Sequence, residues 1–230
     1  MILRLAVALL FLVALASRAV SGTFGFQPTQ VTIDNKHRIV EISLSSLYAL
    51  PAVFDVTVQR WTQEQGHDIF DPAPDVIIVP SVFTVNPYGT VPVRVTFRGA
   101  TPSSERELSF KMQVREVVRD ASTPVTTFSI PLFVPTHTLA GTVTYSLKPQ
   151  ATTQADLVVN NTGSSHIYIE SLRISSAGHD LYDGAPKAFV LSGQTRILPL
   201  QLKAPLLGTD AELTIKDDRG SHSQRAEIVP

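Results

Sequence analysis

Six histidines, His37, His67, His137, His166, His179 and His222, and one run of carboxylates, Asp68, Asp71 and Asp75, are the side chains from which a catalytic or metal centre would have to be built. No two of the histidines stand at metal-ligand spacing, so each reads as a loop or surface histidine. The carboxylate run lies in Asp68-Ile-Phe-Asp71-Pro-Ala-Pro-Asp75. Its two prolines and lack of a glycine turn fit a solvated connection better than a calcium loop. There is no cysteine, which excludes thiol catalysis and thiolate-bound metal. No Gly-x-Ser-x-Gly elbow, His-Glu-x-x-His pair or glycine-rich phosphate loop occurs. Asn160-Asn161-Thr162 is a glycosylation sequon, but followed by Gly163 it reads as turn chemistry. The expectation is a protein that is not an enzyme and needs no metal or cofactor.

With 19 basic and 20 acidic side chains the chain has no bulk attraction for nucleic acid or anionic membrane. Its N-terminus sets the compartment. Met1-Ile-Leu-Arg4 is a positive start, Leu5 to Ala16 is apolar but too short to span a bilayer, and Ala16, Ser17, Ala19, Ser21 and Gly22 are small. Residues 1–22 are expected to be a cleaved secretory signal, with no later segment inserted in a membrane. An exported chain without cysteine must be held together by packing alone.

Such packing needs elements with one apolar face, and the alternation of apolar and polar residues supplies them as strands. Val31–Ile33, Ile39–Leu44, Ala52–Trp61 and Leu108–Arg115 all follow a period of two. Asp75–Arg98 reads as two strands around a Pro87-Tyr88-Gly89 turn, with Pro80 interrupting the first and Arg94 alternating with apolar neighbours in the second. A boundary falls at Val134-Pro135. Beyond it, strands restart at Leu157–Val159, Ile167–Ile169, Leu172–Ile174, Phe189–Leu191, Ile197–Leu200 and Leu213–Ile215. The 16 prolines punctuate the chain at intervals suited to antiparallel sandwiches. The expected fold is all-β, with a first domain over residues 23–135 and a second over 136–230.

Taken in order, these motifs resemble the PapD-like periplasmic chaperones of the chaperone/usher pathway. The resemblance is carried by Val58-Gln-Arg60-Trp61, by Asp75–Arg98, and by Phe110-Lys-Met-Gln-Val114-Arg-Glu116. It continues through Ser129-Ile130-Pro131-Leu-Phe133-Val-Pro135 and Asp156–Gly163 to Leu213–Gly220. It implies two immunoglobulin-like β-sandwich domains set as an L or boomerang. It implies a periplasmic protein that binds pilus or fimbrial subunits and delivers them to an outer-membrane usher. The mechanism it implies is strand donation: the last strand of the first domain, G1, completes a subunit sandwich that lacks its final strand. Val125, Phe128, Ile130 and Leu132 would be the donor side chains, and the same edge could pair with a second copy of the chain. The short Arg119–Pro124 connection points to the short-loop or the archaic branch.

The resemblance further implies an interdomain ion bridge of Arg94 with Glu116 and Asp217, an arginine fork able to meet two carboxylates. Family members anchor the subunit's C-terminal carboxylate with an arginine on the first strand and a lysine on G1. The matching positions here are Gln30 and Ile130, so the anchor would fall to Arg94, Arg98 or Arg38, or strand pairing would carry the hold. The alternative reading is a secreted two-domain module for carbohydrate or cell-surface contact. Against it, the single tryptophan, Trp61, lies on an alternating strand where core packing is expected.

Overall fold

The computed structural model of the protein describes residues 24–99, 106–117, 125–136 and 141–229. The expected signal segment, residues 1–22, and the Arg119–Pro124 connection lie outside them. The described residues form strands and connections. In the first domain the strands are β1 (Phe24–Gln27), β2 (Val31–Thr32), β3 (Ile39–Ser46), β4 (Ala52–Glu64), β5 (His67–Pro72), β6 (Val76–Val79), β7 (Val82–Val85), β8 (Thr90–Phe97), β9 (Leu108–Val117) and β10 (Thr127–Val134). They build one sheet in the order β1-β3-β8-β6 and a second in the order β2-β10-β9-β4-β5, with β7 also on β4.

Period-two patterning explains the sandwich. Ile42 and Leu44 of β3 and Val93, Val95 and Phe97 of β8 point inward from the first sheet. They meet Phe54, Phe110, Met112, Val114, Ile130 and Leu132 from the second. Complete burial of a side chain such as Phe54 or Phe110 contributes about 2–3 kcal/mol. Two prolines mark where the chain changes sheets. Pro28 separates β1 in the first sheet from β2 in the second, and Pro80 separates β6 from β7 in the same way. A residue without an N–H cannot continue a ladder, and the chain uses the break to cross over.

The second domain comprises β11 (Val143–Ala151), β12 (Gln154–Asn161), β13 (Ile167–Ser176), β14 (His179–Gly184), β15 (Ala188–Val190), β16 (Thr195–Gln201), β17 (Asp210–Asp217) and β18 (Gly220–Ile228). Its strands follow one hydrogen-bonded path, β14-β13-β17-β18-β11-β12-β16, with β15 on β13. The path folds around Leu147, Leu157, Ile169, Ile174, Leu213 and Ile215. The protein is all-β, with two β-sandwich domains.

Two local expectations change. The Asp68–Asp75 stretch is not simply a solvated connection, because His67–Pro72 is strand β5, paired with β4 from Gln59↔Pro72 to Glu64↔His67. Ile167–Ile169 and Leu172–Ile174 are one strand, β13, with an irregular register between Ile169 and Ser171 where it pairs with β17.

Candidate functional site

Strand β10 is paired along its whole length on one side only. Against β9 it is in register from Thr127↔Arg115 to Val134↔Leu108. On its other side β2 meets it only at Leu132↔Val31 and Phe133↔Thr32. Among the described residues, Thr127–Pro131 therefore presents backbone N–H and C=O groups with no strand beside them, the feature that invites another chain to pair. Strand β1 is likewise an edge, joined only to β3, from Phe24↔Ser46 to Gln27↔Ser43. The rings of Phe26 on β1 and Phe128 on β10 meet at 5.2 Å across the seam between the two sheets.

The structure divides the four donor candidates. Phe128, Ile130 and Leu132 share the face that registers with Val114, Met112 and Phe110. That face is the domain's own interior, so Ile130 at 3% exposure and Leu132 at 0% are already in use as core. This corrects the expectation that both project toward a client. Phe128 is half-buried against the core margin, while Val125, ahead of the strand, is 48% exposed. What the edge offers is its backbone, Phe128 and Val125.

The expected ion bridge is not formed. Arg94 is the cross-strand partner of Glu41 on the outer face of the first sheet, with Nε 3.4 Å from Oε2 and its side chain 68% exposed. Glu116 lies near the end of β9 remote from Leu108 and accepts from the Thr126 N–H at 3.4 Å. Asp217 is buried at its own hairpin and accepts from the Arg219 N–H at 2.9 Å. The three are kept apart because Arg94 alternates with the inward-facing Val93 and Val95 and so points away from the second domain's side of the sandwich. Arg38 and Arg98, the other anchor candidates, are exposed at the end of the same sheet, where the Arg38 carbonyl accepts from Thr96 Oγ1 at 2.7 Å and the Arg98 N–H donates to the Asp75 carbonyl at 2.7 Å.

A different set of residues joins the domains. The tip of the β4–β5 hairpin reaches the second domain, where Gly66 bridges to Arg196. Gln63 donates from Nε2 to the Phe189 carbonyl at 3.0 Å and accepts from the Leu191 N–H at 3.0 Å. Arg196 pairs with Asp68, whose Oδ1 also accepts from Gln63. Beside this contact Trp61, Phe133 and Leu191 form a small buried cluster with Phe189 packed against it. The His166 ring stacks on Phe133 at 3.6 Å, and its Nδ1 lies 2.8 Å from the buried Glu107 carboxylate. Lys111 lies with Nζ 4.0 Å from the centre of the Trp61 ring; burial lowers its pKa, and the nearby Asp68 partly opposes that. Gln63, Gly66 and His166 carried no signal in the sequence, because their partners lie across the domain boundary. Trp61 did signal packing, though not that its partners come from both domains.

Residues 23–132 match the family model described as the pili and flagellar-assembly chaperone, PapD N-terminal domain. No curated protein sequence matches the chain. Among solved structures, the chain is similar to that of the CsuC–CsuE chaperone–tip adhesion subunit pre-assembly complex from archaic chaperone-usher Csu pili of Acinetobacter baumannii. The TM-score is 0.68 and the identity 19%, covering 90% of this chain and 100% of that one. It is also similar to the complex of the Salmonella enterica SafA pilin with the SafB chaperone, with TM-score 0.59, 15% identity, and 89% and 96% covered. The Pseudomonas aeruginosa CupB2 chaperone gives a TM-score of 0.56 at 15% identity, with 89% and 100% covered. At these identities the likeness is one of fold. Residues 23–132 thus match a PapD N-terminal chaperone domain, and over nine-tenths of its length the chain shares the two-domain β-sandwich fold of these solved chaperones.

Proposed function

We propose that the protein is a periplasmic chaperone that holds pilus or fimbrial subunits through the β10 edge and delivers them to an outer-membrane usher. The observation that carries this reading is the open edge at Thr127–Pro131, beside the second open edge of β1, within a domain of this family. An incomplete subunit sandwich has the complementary defect, an unpaired groove, and strand addition satisfies both partners' backbone groups. Two of the similar solved structures are chaperones captured with a pilin or a tip adhesion subunit. With Gln30 and Ile130 uncharged, and with Arg94, Arg38 and Arg98 on the other sheet, the subunit is held by strand pairing and apolar contact at Phe26, Phe128 and Val125. The same edge pairs two copies when no subunit is present. Residues 1–22 are the export signal, 23–135 the subunit-binding domain and 136–230 the second domain.

The test is periplasmic co-expression of the tagged protein with secreted subunit candidates, using wild type, Phe128→Asp and Val125→Asp. A one-to-one complex recovered with wild type and lost with both variants is expected. Equal recovery with the variants, or no small β-rich partner from a folded wild-type protein, would sink the proposal.

A further inference from the structure

The tip of the first domain carries apolar side chains that its core does not use. Leu47 is 65% exposed, Leu50 61% and Tyr88 70%, with the half-exposed Tyr48 between the two leucines in sequence. They stand on two loops, residues 47–51 between β3 and β4 and residues 86–89 between β7 and β8. The Tyr88 N–H donates to the Tyr48 carbonyl at 3.2 Å and the Ser46 N–H to the Gly89 carbonyl at 2.9 Å, so the two loops form one surface. No charged residue occurs in residues 42–54 or 76–93. Asp55, the next in sequence, is already paired with Arg115 at 3.1 Å. Exposed apolar side chains gathered on an uncharged surface mark a place where another molecule sits. Tyr88 adds to this, because its φ of 56° is a conformation that suits glycine or asparagine and strains a tyrosine. The strain holds a ring out into solvent, where the fold itself gains nothing from it.

The occupant follows from where the tip lies. The Tyr48 ring is 6.2 Å from that of Phe24, the first residue of β1. Phe26 follows on the same face of β1, and its ring meets that of Phe128 on β10. Aromatic rings therefore run without a break from the tip into the seam between the two open edges. Phe24↔Ser46 and Val117↔Val53 set the start of β1 and the end of β9 beside the 47–51 loop, and Thr127↔Arg115 brings the start of β10 to the same end. A strand laid along the seam runs out over these loops. We infer that the tip is a second contact for the same subunit: an uncharged, apolar segment adjoining the paired strand lies over Leu47, Tyr48, Leu50 and Tyr88. This rests on the reading of the β10 edge as the subunit-binding edge.

The test uses the subunit captured in the co-expression above, kept limiting, with wild type and one variant co-expressed under different tags. The proportion of each in the subunit complex is read by mass spectrometry. Tyr88→Asn is the first variant, since asparagine fits the backbone at that position and Tm is expected to stay level or rise. Leu47→Ser with Leu50→Ser is the second. Each is expected to lose to wild type about tenfold, as removal of an aromatic or apolar anchor does. Variants that share the subunit equally with wild type, while Phe128→Asp still abolishes capture, would leave the edge standing and overturn the tip contact. So would a free wild-type dimer that the variants convert to monomer without changing their share of subunit, because the tip would then belong to a second copy. Failure of wild type to capture any subunit would overturn both readings.

Discussion

Replacing Gln63 tests whether the β4–β5 hairpin braces the two domains. The side chain is 2% exposed and bonds two backbone groups of the second domain, the Phe189 carbonyl and the Leu191 N–H, each at 3.0 Å. Gln63→Ala leaves both groups without this partner, at about 1–3 kcal/mol each, so a loss of about 2–6 kcal/mol is expected. For a chain of this size that corresponds to a fall in Tm of about 5–15 °C. Thermal unfolding followed by far-ultraviolet circular dichroism gives the number. Trp61 emission should shift to the red in the native baseline, because Phe189 and Leu191 cover the ring. Gln63→Met separates volume from bonding, since it fills the space with no polar atom and is expected to lose nearly as much. A fall below about 2 °C in Gln63→Ala would refute the reasoning, as would full recovery in Gln63→Met; either would mean that Gln63 fills space and does not brace.

Gly66→Ala should lower stability by about 1–3 kcal/mol in denaturant titration, because φ is 83° and an added Cβ would overlap the Ile197 side chain. Ile130→Ala should cost about 2–5 kcal/mol in the same assay, as a deletion from the core, whereas Phe128→Asp at the half-buried seam should cost clearly less. Tyr145 is pushed up to about 12 by burial and then by Asp217, with a hydroxyl that lacks a partner. Its pKa is higher folded than unfolded, so its contribution is whole below pH 10 and declines as pH rises from about 10 toward 12. Tyr145→Phe should be equal or more stable at neutral pH and should show a shallower loss over that alkaline window, read as the difference between the two stability curves. A steeper loss in the variant would count against it.

The strands with one dry face were legible because alternation alone defines them. Ile42 and Leu44 in β3 and Phe110, Met112 and Val114 in β9 announce both the strand and its buried side. Strand β18 gave no such signal: between Gly220 and Ile228 only Ala226 is fully buried, and the segment is strand because β17 pairs with it over eight residues. The donor assignment failed at Ile130 and Leu132 for a related reason. A strand that feeds its own core and one that feeds a client's groove carry the same apolar alternation, and only the register against β9 separates them. Arg94 shows the limit for charges. Its neighbours Val93 and Val95 reveal that it points outward, but not which sheet it belongs to or that Glu41 lies opposite. The junction was illegible because Gln63 and Asp68 find their partners more than 120 residues away, with no periodicity to mark them.

The length of the open edge on β10 also sets how tightly anything can be held there. Five residues with alternating outward groups, one of them Pro131 without an N–H, offer about four or five backbone hydrogen bonds. At about 0.5–1.5 kcal/mol each these contribute about 2–7 kcal/mol, well short of the ~12 kcal/mol of a nanomolar complex. A partner held as proposed would therefore need the apolar fit at Phe26 and Phe128 as much as the ladder. If subunits dock on this edge as proposed, a competitor with a longer strand and a better-filled groove would displace this chain without unfolding it, because the far half of β10 stays fastened between β9 and β2.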